Sequence, residues 1–348
     1  MSRRGANVGV IGLDVCSRHI AAVQLTRDGE IAAAARFSRV ETGLSLSARE
    51  SDRIGEILDR QGFRGKQVSV GVPDPDLMWA SFLLPPRSSG APIESLAVAE
   101  LASNAGLSAD QITAGCWDTP DFARAGEQTQ IVAVGCGNDK ANEFLEPLDQ
   151  AGFEIVSLYP RPCAAVAACE PMVASDGGLV AMIEIGDTGS APQLLIAGLP
   201  IYHRCTSEIG VDHLLDDIEK RLGFDRMSCE FLIERMNTPS GLDTDAGWVL
   251  VEIARLISTY LDTLSDEIHT ALNYASYCYP HVTTDRVILF GQGARLPGVR
   301  EHVGQQIGHS PMIATPSRFA TCPSHVAHIA DDPALIVALG LARHRGEP

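Results

Sequence analysis

Two stretches of this chain share one layout: three short apolar strands, a carboxylate near the end of the first, and a glycine turn between the second and third. The first is VGVIGLDVCSRHIAAVQLTRDGEIAAAARF, from Val8 to Phe37. Val8–Val15 is apolar and rich in strand formers, Cys16–His19 is a polar break, and Ile20–Thr26 is apolar again. Arg27-Asp28-Gly29 is a hairpin signal, because Asp-Gly supplies the positive φ that such turns need. Ile31–Phe37 closes the meander, and Asp14 stands beside the first turn. The second stretch is LVAMIEIGDTGSAPQLLIAGLPIYHR, from Leu179 to Arg204, with Glu184 and Gly198 in the matching places. Gly29 lies 15 residues after Asp14, and Gly198 lies 14 after Glu184. An acid and a hairpin glycine recurring at nearly one spacing predict two related α/β halves, with turns and acids lining a cleft between them. Two unrelated antiparallel meanders are the alternative.

A chain of 348 residues, 45% hydrophobic and 20% charged, is long enough for two or more domains around a sizeable core. Its net charge of −17 argues against nucleic acid and against anionic lipid as direct partners. The nine cysteines, at 16, 116, 136, 163, 169, 205, 229, 278 and 322, form no CxxC pair. Their scatter indicates neither zinc nor a redox pair and suits free thiols in a reducing cytoplasm. Arg3-Arg4 is followed by no apolar run of signal-peptide or membrane-span length.

Along the chain, Ser51–Gln61 reads as a helix ended by Gly62, and Gln67–Val72 as a strand stopped by Pro73. A unit of order β-α-β-β-α follows: Leu77–Leu84, then Pro92–Ala105 with Leu96, Ala99 and Ala102 inward, Ile112–Asp118, Thr129–Gly135 and Lys140–Ala151. That pattern predicts a small α+β module inserted at 77–152. The first half, 1–76, is expected to resume at 153–178 and to include a C-terminal helix at 333–345. The second half spans 179–332. Within it, Gly210–Leu222 and Ser228–Met236 read as helices, Asn237–Gly247 as a loop, and Trp248–Tyr279 as a long core helix too polar to span a membrane. Asp285–Phe290 is a buried strand, Val299–Ile307 a helix, and Met312–Ala314 a short strand. Thr315–Asp331 is loop-like, and Asp332-Pro333 caps the last helix.

Five segments resemble the actin-like ATPase superfamily and, within it, the PilM family of type IV pilus assembly proteins. Ile11-Gly12-Leu13-Asp14-Val15-Cys16-Ser17 is similar to the first phosphate loop, and Glu184-Ile185-Gly186 to the second. Val68–Pro73 with Trp79–Pro85 looks like the passage into the inserted subdomain. Ser207–His213, with Gly210 and Asp212, resembles a glycine-led helix start. Ile288–Gly298, LFGQGARLPG in its core, is close to the adenosine motif and supplies Gly291, Gly293 and Arg295. The resemblance implies an actin-like fold, two RNase H-like domains facing a cleft with a small inserted subdomain. It implies ATP across the two loops and the adenosine turn, with Mg²⁺ held through water by Asp14. In such loops backbone N–H groups cradle phosphate, provided no bulky side chain intrudes. The implied cofactor-binding set is Asp14, Cys16, Ser17, Glu184, Gly186, Asp187, Gly210, Asp212, Gly291, Gly293 and Arg295.

Several of these positions depart from the family pattern. Cys16 stands where the first loop has glycine, and at positive φ a side chain there would cost roughly 1–2 kcal/mol. Glu184 replaces aspartate, Asp187 replaces a small residue, and Gln292 interrupts a glycine triplet. An anion about 4 Å from a phosphate charge costs about 4 kcal/mol at intermediate dielectric, unless a metal bridges Asp14 and Asp187. Nucleotide binding is therefore expected to be weak or absent, although Arg18 offers a phosphate partner. No hydrolytic base is assignable. The resemblance further implies a cytoplasmic scaffold of a pilus or type II secretion-like platform, peripheral on the inner membrane. It would bind the cytoplasmic tail of a PilN-like protein by way of the segment Leu77–Ala105, with the assembly motor as an indirect partner and self-association open. The competing readings are an active ATPase, such as an FtsA-like filament protein, and a sugar kinase of the same superfamily.

Overall fold

The computed structural model describes residues 8–43, 45–120, 128–174, 177–237 and 247–344. The first meander folds as β1 (Val8–Val15), β2 (His19–Thr26) and β3 (Ile31–Ser38), antiparallel throughout. After helix α1 (Ala48–Arg60), β4 (Gln67–Val72) lies parallel to β1 on its other side. The chain next makes β5 (Leu77–Leu84), α2 (Ile93–Asn104), β6 (Ile112–Asp118), β7 (Thr129–Gly137) and α3 (Asn138–Gln150). It then returns as β8 (Glu154–Pro160), parallel to β4, which gives a sheet of order β3-β2-β1-β4-β8.

Helices α4 (Arg161–Ala168) and α5 (Glu170–Val173) lead to the second meander, β9 (Leu179–Ile185), β10 (Ser190–Ile196) and β11 (Leu199–His203). Helices α6 (Val211–Leu222), α7 (Arg226–Met236) and the 32-residue α8 (Gly247–Cys278) follow. Strand β12 (Thr284–Phe290), helix α9 (Val299–Ile307) and β13 (Met312–Ile313) complete a sheet of order β11-β10-β9-β12-β13, with β12 parallel to β9 and β13 parallel to β12. The two five-stranded sheets thus share one topology: an antiparallel meander followed by two parallel strands beside its first member. Helices α10 (Ala327–Ala330) and α11 (Ile336–Arg343) end the described chain. The loop expected at 237–247 lies, apart from its end residues, outside the described residues.

Helices α4 and α11 are buried between the sheets. One continuous apolar cluster joins Ala21 and Val23 of β2, Ala164 and Ala168 of α4, Val180 and Met182 of β9, and Leu339 of α11. Close approach is bought with glycine at two points: a Cβ on Gly340 would lie 1.7 Å from the Ala164 carbonyl oxygen, and one on Gly12 would lie 2.0 Å from that of Ala338.

Strands β5, β7 and β6 form a separate antiparallel sheet, with β7 in the middle and α2 on one face. Here the structure departs from the sequence reading in two ways. Helix α2 buries Ile93, Ala97, Leu101 and Ala102, while Ala99 is exposed and Leu96 only half-buried. Ala102 is inward as expected, but the rest of the buried stripe runs i, i+4, i+8 through Ile93, Ala97 and Leu101; apolar and polar residues are interspersed round the helix, so pattern alone did not choose its face. Helix α3, continuous with β7, buries Phe144 and Leu148 in the core of the first half beside Leu58 and Phe153. Helix α8 packs as expected through Ile253, Ile257, Leu261, Leu264 and Ile268. Among the described residues no helix is long and apolar enough to cross a membrane.

Candidate functional site

Both meanders bring an acid to the same cleft. Asp14, near the end of β1, is 1% exposed, and Glu184, near the end of β9, is 9% exposed. Between them lies a residue to which sequence reasoning gave no role. Arg161, the first residue of α4, sends its guanidinium into the cleft: Nε is 3.0 Å from Asp14 Oδ1, Nη2 3.2 Å from Asp14 Oδ2, and Nη1 3.1 Å from Asp74 Oδ2. Nη2 also donates to Glu184 Oε1. The arginine stem crosses Gly71 of β4, where a Cβ would lie 2.8 Å from Arg161 Cγ. Burial opposes charge on this guanidinium, but Asp14, Asp74 and Glu184 outweigh it and keep it cationic, well above its ordinary range. Three acidic side chains thus face one cation. Burial, helped by Asp74 and Asp14 and resisted by Arg161, pushes Glu184 up to about 8.

The first turn is tight: the Cys16 N–H donates to the His19 carbonyl at 3.0 Å. The expected strain at Cys16 is not there. Among the described residues the non-glycine residue at positive φ is Ala197, so Cys16 takes an ordinary backbone conformation. Its thiol points at Asp14, with Sγ 3.5 Å from Oδ2, and burial followed by the Asp14 charge raises it well above the usual thiol range. Ser17 is buried, and its carbonyl accepts from the Gly43 N–H at 3.1 Å.

In the second turn the Gly186 N–H donates to Gly189, and the Gly186 carbonyl receives the Val211 N–H at 3.0 Å. The loop thereby closes on the start of α6. Gly210 caps that helix where a Cβ would lie 2.2 Å from the Asp187 carbonyl. Asp187 lies 2.6 Å from His19 Nδ1, across the cleft. Burial raises the Asp187 pKa, yet the His19 hydrogen bond and charge bring it below the usual carboxylate range. Asp212, in the first turn of α6, pairs with Arg18 Nε at 2.6 Å and Arg226 Nη1 at 2.9 Å. Arg18 therefore already has a protein carboxylate where a phosphate was the alternative.

The adenosine-like turn follows β12. Gly291 has φ +88°, and a Cβ would lie 2.7 Å from the Ile185 carbonyl; at Gly293 it would lie 2.1 Å from Ile185 Cγ2. Both glycines let this turn pack directly on the end of β9. Arg295 pairs with Glu234 at 2.8 Å and Asp332 at 3.4 Å. The site residues thus converge, and ion pairs join many of them, while Asp14 Oδ1, Ser17 Oγ, Asp74 Oδ1 and Gln292 Oε1 are buried without a hydrogen-bond partner. The cavity beside Asp14, Cys16, Arg161 and Glu184 is about 30 Å³, room for one or two waters. A second cavity of about 360 Å³, bordered by Arg18, Arg36, Met227, Phe231, Arg295 and Leu296, is of ligand-pocket size. Among the described residues no group of three or more His, Cys, Asp or Glu side chains is placed to hold a metal. A metal-bound triphosphate does not fit the acid end as it stands, because Arg161 engages the carboxylates and the remaining space is too small. The missed residue had one sequence signal: Arg161 is the single charge between Glu154 and Glu170.

A family model described as type IV pilus assembly protein PilM matches residues 12–345. Among solved structures, a PilM–PilN type IV pilus biogenesis complex is similar with TM-score 0.78 and 18% identity, covering 98% of this chain and 99% of that one. The ethanolamine utilization protein EutJ from Carboxydothermus hydrogenoformans is similar with TM-score 0.57 and 15% identity, covering 96% and 89%. Among curated proteins, none matches the chain in sequence.

Proposed function

The chain belongs to the type IV pilus assembly protein PilM family, and on that premise we infer that it is a PilM-like scaffold. It binds the cytoplasmic tail of a PilN-like membrane protein and is held at the inner face of the inner membrane through that partner. The observation that carries this reading is the family match across residues 12–345.

The separate sheet offers the docking surface. Strand β5 is an edge strand, paired on one side with β7, and Leu83 on it is 42% exposed. An edge strand presents unpaired N–H and C=O groups to an extended peptide, and neighbouring side chains select its sequence. The exposed edge of β5 supports the reading that the tail docks within Leu77–Ala105. The module is also fastened to the second half. Trp117 Nε1 donates to the Pro200 carbonyl at 2.8 Å, and the Tyr279 hydroxyl lies 3.2 Å from Gln130 Oε1. A tail on β5 would therefore act on a module already braced against both halves. Tail docking needs no nucleotide hydrolysis, and the 360 Å³ cavity is the place where a nucleoside would be held.

Calorimetry of the full chain with the N-terminal peptide of its PilN-like protein tests the reading. Saturable binding is expected, weakened about tenfold or more in Leu83→Asp. No binding to the wild type would refute the scaffold role. Binding unchanged in Leu83→Asp would move the docking site away from β5. In cells lacking the PilN-like partner, the protein should shift from the membrane fraction to the soluble one.

A further inference from the structure

We propose that Arg161 is the resident cation of the cleft: it takes the place of a divalent metal between Asp14, Asp74 and Glu184 and clamps the two halves together without metal. Four observations converge on this. The guanidinium reaches all three carboxylates, within 3.2 Å of both Asp14 and Asp74 and in direct contact with Glu184. Those acids come from three separate places, β1, the turn after β4, and β9, so the cluster crosses from one half to the other. The backbone is arranged to admit the side chain: Pro160 and Pro162 flank Arg161 at the start of α4, and Gly71 leaves room for its stem. What remains beside it is a cavity of about 30 Å³.

A guanidinium and a hard metal ion make different demands on the same acids. Mg²⁺ needs roughly six oxygens at about 2.1 Å in near-octahedral order and keeps several waters. Arginine offers five donors in a flat fork that bridges carboxylates standing further apart, and it remains charged when buried. Here the acids are spaced for the fork, and Arg161 lies among them. A metal can enter only by displacing it. His19 with Asp187 and Arg18 with Asp212 add two more contacts across the same cleft, so polar contacts of the protein's own join the halves along its length.

The experiment uses the full chain after chelator treatment. Wild type and Arg161→Ala are each titrated with Mn²⁺, followed by spin resonance of the free ion, and melted with and without Mg²⁺. Wild type should show no saturable Mn²⁺ binding and no Mg²⁺ effect on Tm. Arg161→Ala leaves Asp14 and Asp74 without their cation and Glu184 without its donor, so its Tm should fall by roughly 5 °C. With the guanidinium gone the acids are free to close on an ion, so Mn²⁺ binding should appear and be lost again in Arg161→Ala/Asp14→Asn, and Mg²⁺ should restore part of the Tm. Saturable Mn²⁺ binding by the wild type that Asp14→Asn abolishes would overturn the proposal. So would an Arg161→Ala protein as stable as the wild type without metal. Should Arg161→Ala fail to fold, the wild-type and Asp14→Asn titrations decide it by the same criterion.

Discussion

Replacing Gly340 with alanine tests the packing that joins the two halves. Gly340 lies in α11, where its Cα faces the α4 backbone; an added Cβ would sit 1.7 Å from the Ala164 carbonyl oxygen and 2.4 Å from its carbon. These are backbone atoms of a buried helix and cannot swing aside as a side-chain tip could. One helix must move by more than an ångström, within a cluster where Ala164, Leu339 and Leu341 are fully buried. Overpacking of this kind costs typically 1–3 kcal/mol and more when backbone must shift. Alanine in a helix returns about 1 kcal/mol of propensity. Taking the upper end of that cost, the net expectation is a loss of about 2 kcal/mol, seen as a lower urea midpoint and a Tm reduced by roughly 3 °C. Gly115→Ala is the control: no atom would lie within 4 Å of its Cβ and φ is not positive there, so stability should stay within about 0.5 kcal/mol. The module has its own core, including Leu84, Ile93, Leu101 and Ile131, so tail binding at low temperature should survive Gly340→Ala. A Gly340→Ala protein within about 1 kcal/mol of wild type would show that α4 and α11 are not packed as described.

Three further outcomes are expected. Glu184 keeps its proton in the folded protein up to about pH 8, against a reference value of 4.5; the folded state binds the extra proton between those limits, so its contribution to stability declines as pH rises through that window. Glu184→Gln should flatten the difference between urea midpoints at about pH 5.5 and about pH 7.5. Asp187 has the opposite sign: its pKa is lowered, so His19→Ala should remove stability that is present near neutral pH and that the wild type loses only as pH falls below the usual carboxylate range. Gly71→Val would press on the Arg161 stem and should reproduce the Tm loss of Arg161→Ala without changing any charge, as differential scanning calorimetry would show.

Much of the fold was legible because it rests on local patterns. Asp28-Gly29 makes its hairpin with Gly29 at φ +84°, and Gly198 does the same at +76°. The matched spacing of acid and glycine corresponds to two sheets of one topology, since β1-β2-β3 and β9-β10-β11 place them identically. What was misread depended on tertiary choice. Helix α2 offers apolar residues in most directions, and only the sheet beneath it selects Ile93, Ala97 and Leu101. Helix α3 follows β7 in sequence but finds its apolar partners on α1 and β8.

The site separates in the same way. Motif positions such as Gly210, Gly291 and Gly293 are recognisable because close backbone approach forbids a side chain there, a constraint that leaves a mark at each position. Arg161 left no comparable mark. Its partners lie 147, 87 and 23 residues away, and nothing at Asp14, Asp74 or Glu184 alone says which cation each will meet. The weak cue was energetic: a single arginine in the apolar run from Ile155 to Cys169 must be buried with partners or not buried at all. The expectation of a strained Cys16 failed for a related reason. It assigned Cys16 a glycine's positive φ, whereas here the turn closes on His19 with Cys16 in an ordinary conformation and the thiol packs against Asp14. Once Arg161 supplies the positive charge from within, the first loop is free to carry a side chain. On that proposal, the side chain at Cys16 and the Asp187 contact with His19 belong to a cleft joined by the protein's own polar groups.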